Sequence, residues 1–270
     1  MTLSLWILAY LALGAFTGVS AGMLGIGGGL VMVPTLTVMF AAQSQFPPGE
    51  TLHMALGTSM ASIVFTAIAS LRAHHQHGAV LWPVVRQITP GILLGTALGT
   101  AFAAGIPARP LAIFFAGFVC LIAFQMAANF KPKPTRQLPS TVGFWGVGAG
   151  IGALSALVAI GGGALTVPFL TWCNVRVQHA IGTSAAIGLP IAIGGTLGYI
   201  LNGQAVSDLP EGSIGYVYLP ALAILVISSM MLAPYGARLA HRLPVATLKK
   251  YFAAVLILLA SKMLWSLFGA

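Results

Sequence analysis

Residues 25–34 read GIGGGLVMVP, and residues 159–168 read AIGGGALTVP. Both copies lie inside long apolar stretches, where three adjacent glycines and a nearby proline disfavour a continuous helix. A duplicated sequence that interrupts a membrane helix in both halves is typical of transporters built from internal repeats. The two glycine runs therefore predict broken or re-entrant transmembrane helices, and they mark a candidate substrate site.

The composition is that of an integral membrane protein. Of the 270 residues, 58% are hydrophobic and 6% are charged, whereas soluble domains contain about 25% charged residues. Each helical span needs roughly 20 apolar residues. Apolar segments cover approximately residues 3–23, 27–42, 53–72, 79–104, 108–129, 140–158, 161–174, 178–201, 213–236 and 245–268. We therefore expect an all-α polytopic membrane protein with its helices in the lipid bilayer.

The net charge of +9 does not indicate a nucleic-acid partner. Basic residues collect in the cytoplasmic loops of membrane proteins, and no basic patch with interleaved aromatic residues is present. Cys120 and Cys173 form no paired motif, and a short histidine-rich turn at 74–77 has no carboxylate or cysteine beside it. The sequence therefore predicts no nucleic-acid binding, no metal site and no cofactor.

Several landmarks recur in the same order in the two halves. The matching pairs are Gly14/Gly18 with Gly148/Gly152, the two glycine runs, Gly57-Thr58-Ser59 with Gly182-Thr183-Ser184, and Ile106-Pro107 with Leu243-Pro244. We predict a first transmembrane repeat at 1–130, a cytoplasmic linker at 131–139 and a second transmembrane repeat at 140–270. The glycines spaced by four residues are interpreted as positions of close helix packing.

The loop charges predict how the repeats are oriented. All three acidic residues (Glu50, Asp208 and Glu211) lie between apolar segments, and basic clusters lie in the linker and between the last two segments. With the basic clusters inside, the acids and both termini are external. Five segments in each half make the second repeat inverted. Segment 2 is short for a full crossing, so we leave open whether segments 1–2 and 6–7 cross the membrane fully or form re-entrant hairpins.

The glycine runs offer the chemistry of an anion site. A helix that begins after three glycines presents free backbone N–H groups and the positive end of its dipole, and glycine allows a ligand to approach closely. The paired hydroxyls add donors. The predicted substrate-binding residues are Gly27, Gly28, Gly29, Thr58, Ser59, Gly161, Gly162, Gly163, Thr183 and Ser184. His53 and His179 differ by one alignment position, and we interpret them as interfacial residues at loop ends.

No acidic residue lies within an apolar segment, although proton- or sodium-coupled carriers usually have one there. An anion exporter needs no such group, because the membrane potential favours outward movement of negative charge. We therefore predict an exporter of a small anion that works by alternating access at a midplane site between the repeats. A passive anion channel, an importer, and an intramembrane enzyme using Ser20 in a G-x-S-x-G motif stay as alternatives. We predict no catalytic residues, and a homodimer is left open.

The chain resembles the sulfite exporter TauE/SafE family of small bacterial membrane permeases. The resemblance rests on the duplicated pattern of spaced glycines, G-x-G-G-G, Val-Pro and a downstream Gly-Thr-Ser, and on the closing Leu258–Lys262 stretch. The second copy departs from it, with Ala156 and Ala159 in place of Gly22 and Gly25. The resemblance implies export of a sulfur oxyanion or organosulfonate, such as sulfite or sulfoacetate, across the plasma (bacterial inner) membrane.

Overall fold

The computed structural model describes residues 3–24, 28–128, 135–240 and 245–268, and these are helical almost throughout. The first half contains α1 (Leu3–Leu24), α2 (Gly29–Ala41), α3 (Thr51–Gln76), α4 (Trp82–Ala104) and α5 (Ala108–Ala127). The second half contains α6 (Thr141–Val158), α7 (Gly163–Trp172), α8 (Val177–Gly203), β1 (Ser213–Ile214), β2 (Val217–Tyr218), α9 (Leu219–Ala240) and α10 (Val245–Phe268). The strands form one antiparallel hairpin.

The lengths of the helices show which of them can cross a membrane. Within the described ranges, α1, α3, α4, α5, α6 and α8 are long and apolar enough. α2 has 13 residues and α7 has 10, which gives roughly 20 and 15 Å of helix against a hydrocarbon core of about 30 Å. The prediction of an all-α polytopic membrane protein is confirmed. α2 and α7 are too short to cross alone, whereas α1 and α6, which precede them, are long enough to cross.

Two helices begin later than the hydropathy predicts. The apolar segments start at residues 79 and 213, but α4 begins at Trp82 and α9 begins at Leu219. Pro83 and Pro220 occupy the second position of these helices. In the first turn the missing N–H of proline costs no intrahelical hydrogen bond. The apolar residues ahead of them are not helical, and they dock on helices of the opposite half, as described below.

The first helix of each half packs against the fourth helix of the other half. At these contacts a Cβ on the glycine would overlap backbone or side-chain atoms of the facing helix, so the helices approach closely. The contacts are Gly14–Leu225 and Gly18–Ser229 between α1 and α9, and Gly148–Ile88 and Gly152–Ile92 between α6 and α4. The close-packing interpretation is confirmed for Gly14 and Gly18, and Gly148 and Gly152 pack in the same way at the matching positions of the other helix pair.

The third helices of the two halves, α3 and α8, pack against each other at the centre. A Cβ at Gly57, near the start of α3, would lie 3.1 Å from Tyr199 Cβ, near the end of α8. One turn further along α3, Met60 contacts Gly195. The numbering runs in opposite directions, so the two helices are antiparallel. An inverted repeat would produce this arrangement.

The interior and the lipid-facing surface are distinct. Leu30, Val33 and Leu36 of α2 are fully buried, so this short helix lies inside the protein. Phe102 of α4 and Phe124 of α5 are 63% and 72% exposed, as expected for side chains that face lipid. α2 directly precedes α3, and α7 directly precedes α8; α3 and α8 carry the Gly-Thr-Ser sequences.

Candidate functional site

The first glycine run leads into α2. Gly28 is the N-cap and Gly29 is the first helical residue, while Gly27 lies outside the described residues. The Met32 N–H donates to the Gly28 carbonyl at 2.9 Å. Among the described residues, the N–H groups of Gly29 and Leu30 have no acceptor, and both residues are buried. α2 therefore begins inside the protein, and these two donors at the positive end of its dipole have no acceptor within the part of the chain that the structure describes.

The second glycine run leads into α7 in a related way. Gly162 is the N-cap, with φ 6° and ψ −33°, and Gly163 is the first helical residue. The Gly163 N–H donates to the Gly161 carbonyl, but the N–H groups of Ala164 and Leu165 have no acceptor within the described ranges. Ala164 and Leu165 are half-buried. The start of α7 is therefore more accessible than the start of α2.

The chain turns between α6 and α7 at a left-handed residue. Ala159 has φ 46° and ψ 48°, and its N–H donates to the Ser155 carbonyl at the end of α6. This conformation costs an alanine about 1–2 kcal/mol, whereas glycine adopts it freely. Gly25 stands at the matching position of the first copy. The second copy therefore holds an alanine in a backbone conformation that favours glycine.

The two breaks contact each other and α8. A Cβ at Gly29 would overlap the carbonyl oxygen of Ala159, so α2 begins directly against the turn between α6 and α7. A Cβ at Gly162 would lie 2.8 Å from the Ser184 carbonyl oxygen and 3.1 Å from the Gly188 nitrogen. The structure thus brings Gly29 to the second break and Gly162 to Ser184. Side chains at these two glycines would separate the elements that meet there.

The two threonines of the Gly-Thr-Ser sequences have matching partners. Thr58 Oγ1 accepts a hydrogen bond from the Tyr218 N–H at 3.0 Å, and Thr183 Oγ1 accepts one from the Leu81 N–H at 3.0 Å. Tyr218 directly precedes α9, and Leu81 directly precedes α4. Each threonine therefore holds the segment that leads into the fourth helix of the opposite half. This docking role was not visible in the sequence.

The glycine before each threonine, Gly57 or Gly182, leaves space for the docked segment to lie against the helix. A Cβ at Gly57 would lie 2.7 Å from the Tyr216 carbonyl oxygen, and one at Gly182 would lie 2.5 Å from the Ala79 carbonyl oxygen. Both distances are shorter than an ordinary van der Waals contact. The docked segments can therefore pack on α3 and α8 only because these residues have no side chain.

The serines of the two sequences differ. Ser184 Oγ donates to the Ile181 carbonyl at 2.8 Å, whereas Ser59 Oγ is fully buried without a partner. Three further residues that are fully buried, Ser62, Ser155 and Thr166, have hydroxyls without a partner among the described residues, and the sequence did not identify them. An unpaired buried polar group costs about 1–3 kcal/mol and needs an explanation. Their positions, one turn after Ser59 and within a few residues of the second glycine run, could have identified them.

A polar cluster at the start of α3 was also missed. His53 is 3% exposed, so its interpretation as an interfacial residue is wrong. Its Nε2 lies 3.0 Å from the Ala103 carbonyl oxygen, its Nδ1 lies 3.4 Å from Glu50 Oε2, and its ring stacks on Tyr216 at 5.3 Å between centroids. Burial raises the pKa of the Tyr216 hydroxyl, and a hydrogen bond to Glu50 and the charge of that carboxylate add to the rise.

The loops containing the acidic residues lie at one end of the molecule. Gln45 Nε2 donates to the Tyr218 hydroxyl at 3.3 Å, and Phe46 packs edge-on against Tyr218. These contacts join the loop of Glu50 to the hairpin that follows Asp208 and Glu211. Elsewhere, the linker is joined to the end of α7, where the N–H groups of residues 135 and 136 donate to the carbonyl of residue 172.

Comparison with known proteins gives a consistent set of relatives. A family model described as "Sulfite exporter TauE/SafE" matches residues 10–263. A probable membrane transporter protein of Haemophilus influenzae is 38% identical, over 96% of this chain and 98% of the relative. The probable membrane transporter protein YdhB of Bacillus subtilis is 27% identical, over 86% of this chain and 89% of the relative. A probable membrane transporter protein of Methanocaldococcus jannaschii is 26% identical, over 90% of each chain. No solved structure matches the chain significantly.

Proposed function

Because the chain belongs to the sulfite exporter TauE/SafE family and is a membrane transporter, we propose that it exports a small anion. The proposed substrate class is a sulfur oxyanion or an organosulfonate, and the proposed location is the plasma membrane. Sulfite and sulfonate groups are small, and they share their negative charge among three oxygens that point in different directions. Such a group matches several N–H and O–H donors better than one cationic side chain.

The observation that supports the proposal most directly is the pair of helix starts in the interior. The N–H groups of Gly29 and Leu30 in α2, and of Ala164 and Leu165 in α7, have no acceptor among the described residues. Helix N-termini bind anions through such groups and through the helix dipole. Because Gly29 contacts the second break, both helix starts belong to one region of the protein.

The buried hydroxyls complete the proposed donor set. Ser59 keeps an O–H without an acceptor, and we assign it to the anion. Thr58 and Thr183 use an oxygen lone pair to hold the docked segments, so in this proposal they position the site and retain one O–H to donate. Ser184 bonds to its own helix and would turn toward the anion during transport.

The proposed transport cycle uses the relation between the two halves. The antiparallel packing of α3 on α8 and the exchanged pairs α1–α9 and α4–α6 support an inverted repeat. Such a repeat can expose one central site alternately to the two sides. At present the start of α2 is buried and the start of α7 is half-buried. We propose that this difference reverses when the transporter changes its facing side.

The proposed direction is outward. The three acidic residues lie in loops, so no membrane carboxylate is available to couple inward movement to a cation. A negative cytoplasm favours export of each negative charge by about 2.3 kcal/mol per 100 mV. With the acidic loops outside, both termini are external and the linker is cytoplasmic.

Flux measurements in proteoliposomes test the proposal. We expect saturable outward flux of sulfite or sulfoacetate that increases with an imposed potential. Gly162→Leu should abolish this flux because its side chain would meet the Ser184 carbonyl. Gly150→Leu is the matched control, since a Cβ at Gly150 would meet nothing within 4 Å. Normal flux in the Gly162 variant would exclude the second glycine run from the site.

The same vesicles separate a carrier from the passive channel. A carrier with alternating access should show trans-stimulation, in which substrate on the far side accelerates flux of labelled substrate. A channel should show flux without counterflow and without saturation at the same concentrations. Absence of flux for sulfite, sulfate, thiosulfate, sulfonates and carboxylates would reject anion export altogether.

A further inference from the structure

His53 lies in an arrangement that lacks one proton. Its Nε2 faces the Ala103 carbonyl oxygen at 3.0 Å. A carbonyl oxygen can only accept a hydrogen bond, so Nε2 must carry the hydrogen. In a neutral imidazole the other nitrogen, Nδ1, then has a bare lone pair.

That bare nitrogen faces a carboxylate. Glu50 Oε2 lies 3.4 Å from His53 Nδ1, both atoms are buried, and neither has a hydrogen-bond partner elsewhere among the described residues. An ionised carboxylate and a bare imidazole nitrogen are both acceptors and repel each other. One added proton, on either group, converts the repulsion into a hydrogen bond that is strengthened by charge. The Glu50 side chain is 28% exposed, so the proton can reach the pair from solvent.

The second half of the chain provides an internal comparison. The segment before α4 docks on Gly182 and Thr183 in the same way as the segment before α9 docks on Gly57 and Thr58. At the positions that match Glu50, His53 and Tyr216, the second arrangement has Val175, Gln178 and Ala79. Docking therefore does not require ionisable residues, and the pair needs another explanation.

From this geometry we infer that Glu50 and His53 form a proton-binding site that controls transport from the side where α3 begins. When the proton is bound, the pair is closed and the ring of His53 supports Tyr216 of the hairpin that leads into α9. When the proton leaves, the two acceptors repel and the hairpin loosens on α3. The control of transport rests on the proposed export function, whereas the binding of the proton does not.

The other polar and ionisable groups near Glu50 and His53 come from several elements. Tyr216 of the hairpin stacks on His53, and Tyr199 of α8 packs edge-on against Tyr216. α4 contributes the carbonyl of Ala103. Arg109 of α5 lines a cavity of about 650 Å³ that Thr51 also lines, and Asp208 and Glu211 lie in the exposed loop before the hairpin.

Thermal unfolding of the purified full-length protein tests the proton site without any substrate. Stability from the bound proton is present at low pH and is lost as the pH rises through the release of that proton. Glu50→Gln should remove this dependence, because a glutamine amide can donate to Nδ1 at every pH. In a pH series we expect the Tm of the wild type to fall relative to this variant as the pH rises, by on the order of 5 °C.

His53→Gln places the residue type of the second half at this position, and its Tm relative to Glu50→Gln should not change with pH. The control Glu211→Gln should keep the pH profile of the wild-type Tm. Identical profiles for the wild type and Glu50→Gln would overturn the proton site. Anion flux with pH varied on each side then tests control: loss of its pH dependence in Glu50→Gln supports it, and an unchanged dependence rejects it. A wild type with a pH-dependent Tm but no anion flux would reject the transport proposal and retain the proton site.

Discussion

Replacing Thr58 or Thr183 by valine tests the docking of the two segments. Valine has nearly the same shape, and both threonines are fully buried, so packing is preserved and only the hydroxyl is lost. Each change removes one hydrogen bond and leaves the N–H of Tyr218 or Leu81 without its acceptor. An unpaired buried N–H costs about 1–3 kcal/mol. Tyr218 and Leu81 are half-buried, so water recovers part of this cost.

We expect each variant to lose about 1–2 kcal/mol of unfolding free energy. For a chain of this size that corresponds to a fall in Tm of roughly 2–8 °C. The two hydrogen bonds share no residue, so the double variant should lose the sum of the single losses. Tryptophan fluorescence during heating in detergent measures all three.

Thr196→Val on α8 is the control for this experiment. The Thr196 hydroxyl donates to the Ala192 carbonyl four residues earlier in the same helix, at 2.6 Å. Losing such a local bond should change stability by less than about 0.5 kcal/mol. If the Thr58 and Thr183 variants unfold at the same temperature as the Thr196 variant, the docking role is wrong.

Three other variants extend these expectations. Gly95→Leu should prevent α4 from packing on α6 and lower the yield of folded protein in detergent, because a side chain at Gly95 would overlap backbone atoms of α6; a monodisperse, stable product would contradict this packing. Ala159→Val should lower the Tm by several degrees, since a β-branched residue resists the left-handed conformation at a cost of about 2 kcal/mol or more, and an unchanged Tm would argue against that turn. Ser59→Ala should leave the Tm of the substrate-free protein equal or higher, because the hydroxyl has no partner, and should reduce the stabilisation by added sulfite; full retention of that stabilisation would remove Ser59 from the anion site.

The membrane class and the helix order could be predicted because hydropathy and repeated landmarks are local properties of a sequence. The starts of α4 and α9 could not, because a short apolar segment docked on a neighbour has the same hydropathy as the first turn of a helix. The repeat marked Thr58 and Thr183 as matching positions. Their partners, Tyr218 and Leu81, lie 160 and 102 residues away, and only the fold brings them together.

The pairing of Glu50 with His53 could not be predicted from the sequence for a different reason. Glu50 and His53 are three residues apart, but a loop carboxylate near a histidine is ordinary in an external loop. Its meaning depends on the Ala103 carbonyl, which fixes the tautomer of His53, and on the ring of Tyr216. A backbone carbonyl has no sequence signal. In the sequence, the alignment of His53 with Gln178 indicates only that His53 and His179 are not a symmetric pair.

The pairing of α1 with α9 has a consequence for how the chain assembles during synthesis. α1 is made first, but the contact surface that covers Gly14 and Gly18 is completed roughly 200 residues later. At about 5–20 residues per second this interval is on the order of 10–40 s. During that time α1 must wait in the bilayer with its glycine face uncovered. A fragment that ends before α9 would keep this face open, so we expect truncated chains to be degraded or captured by membrane chaperones.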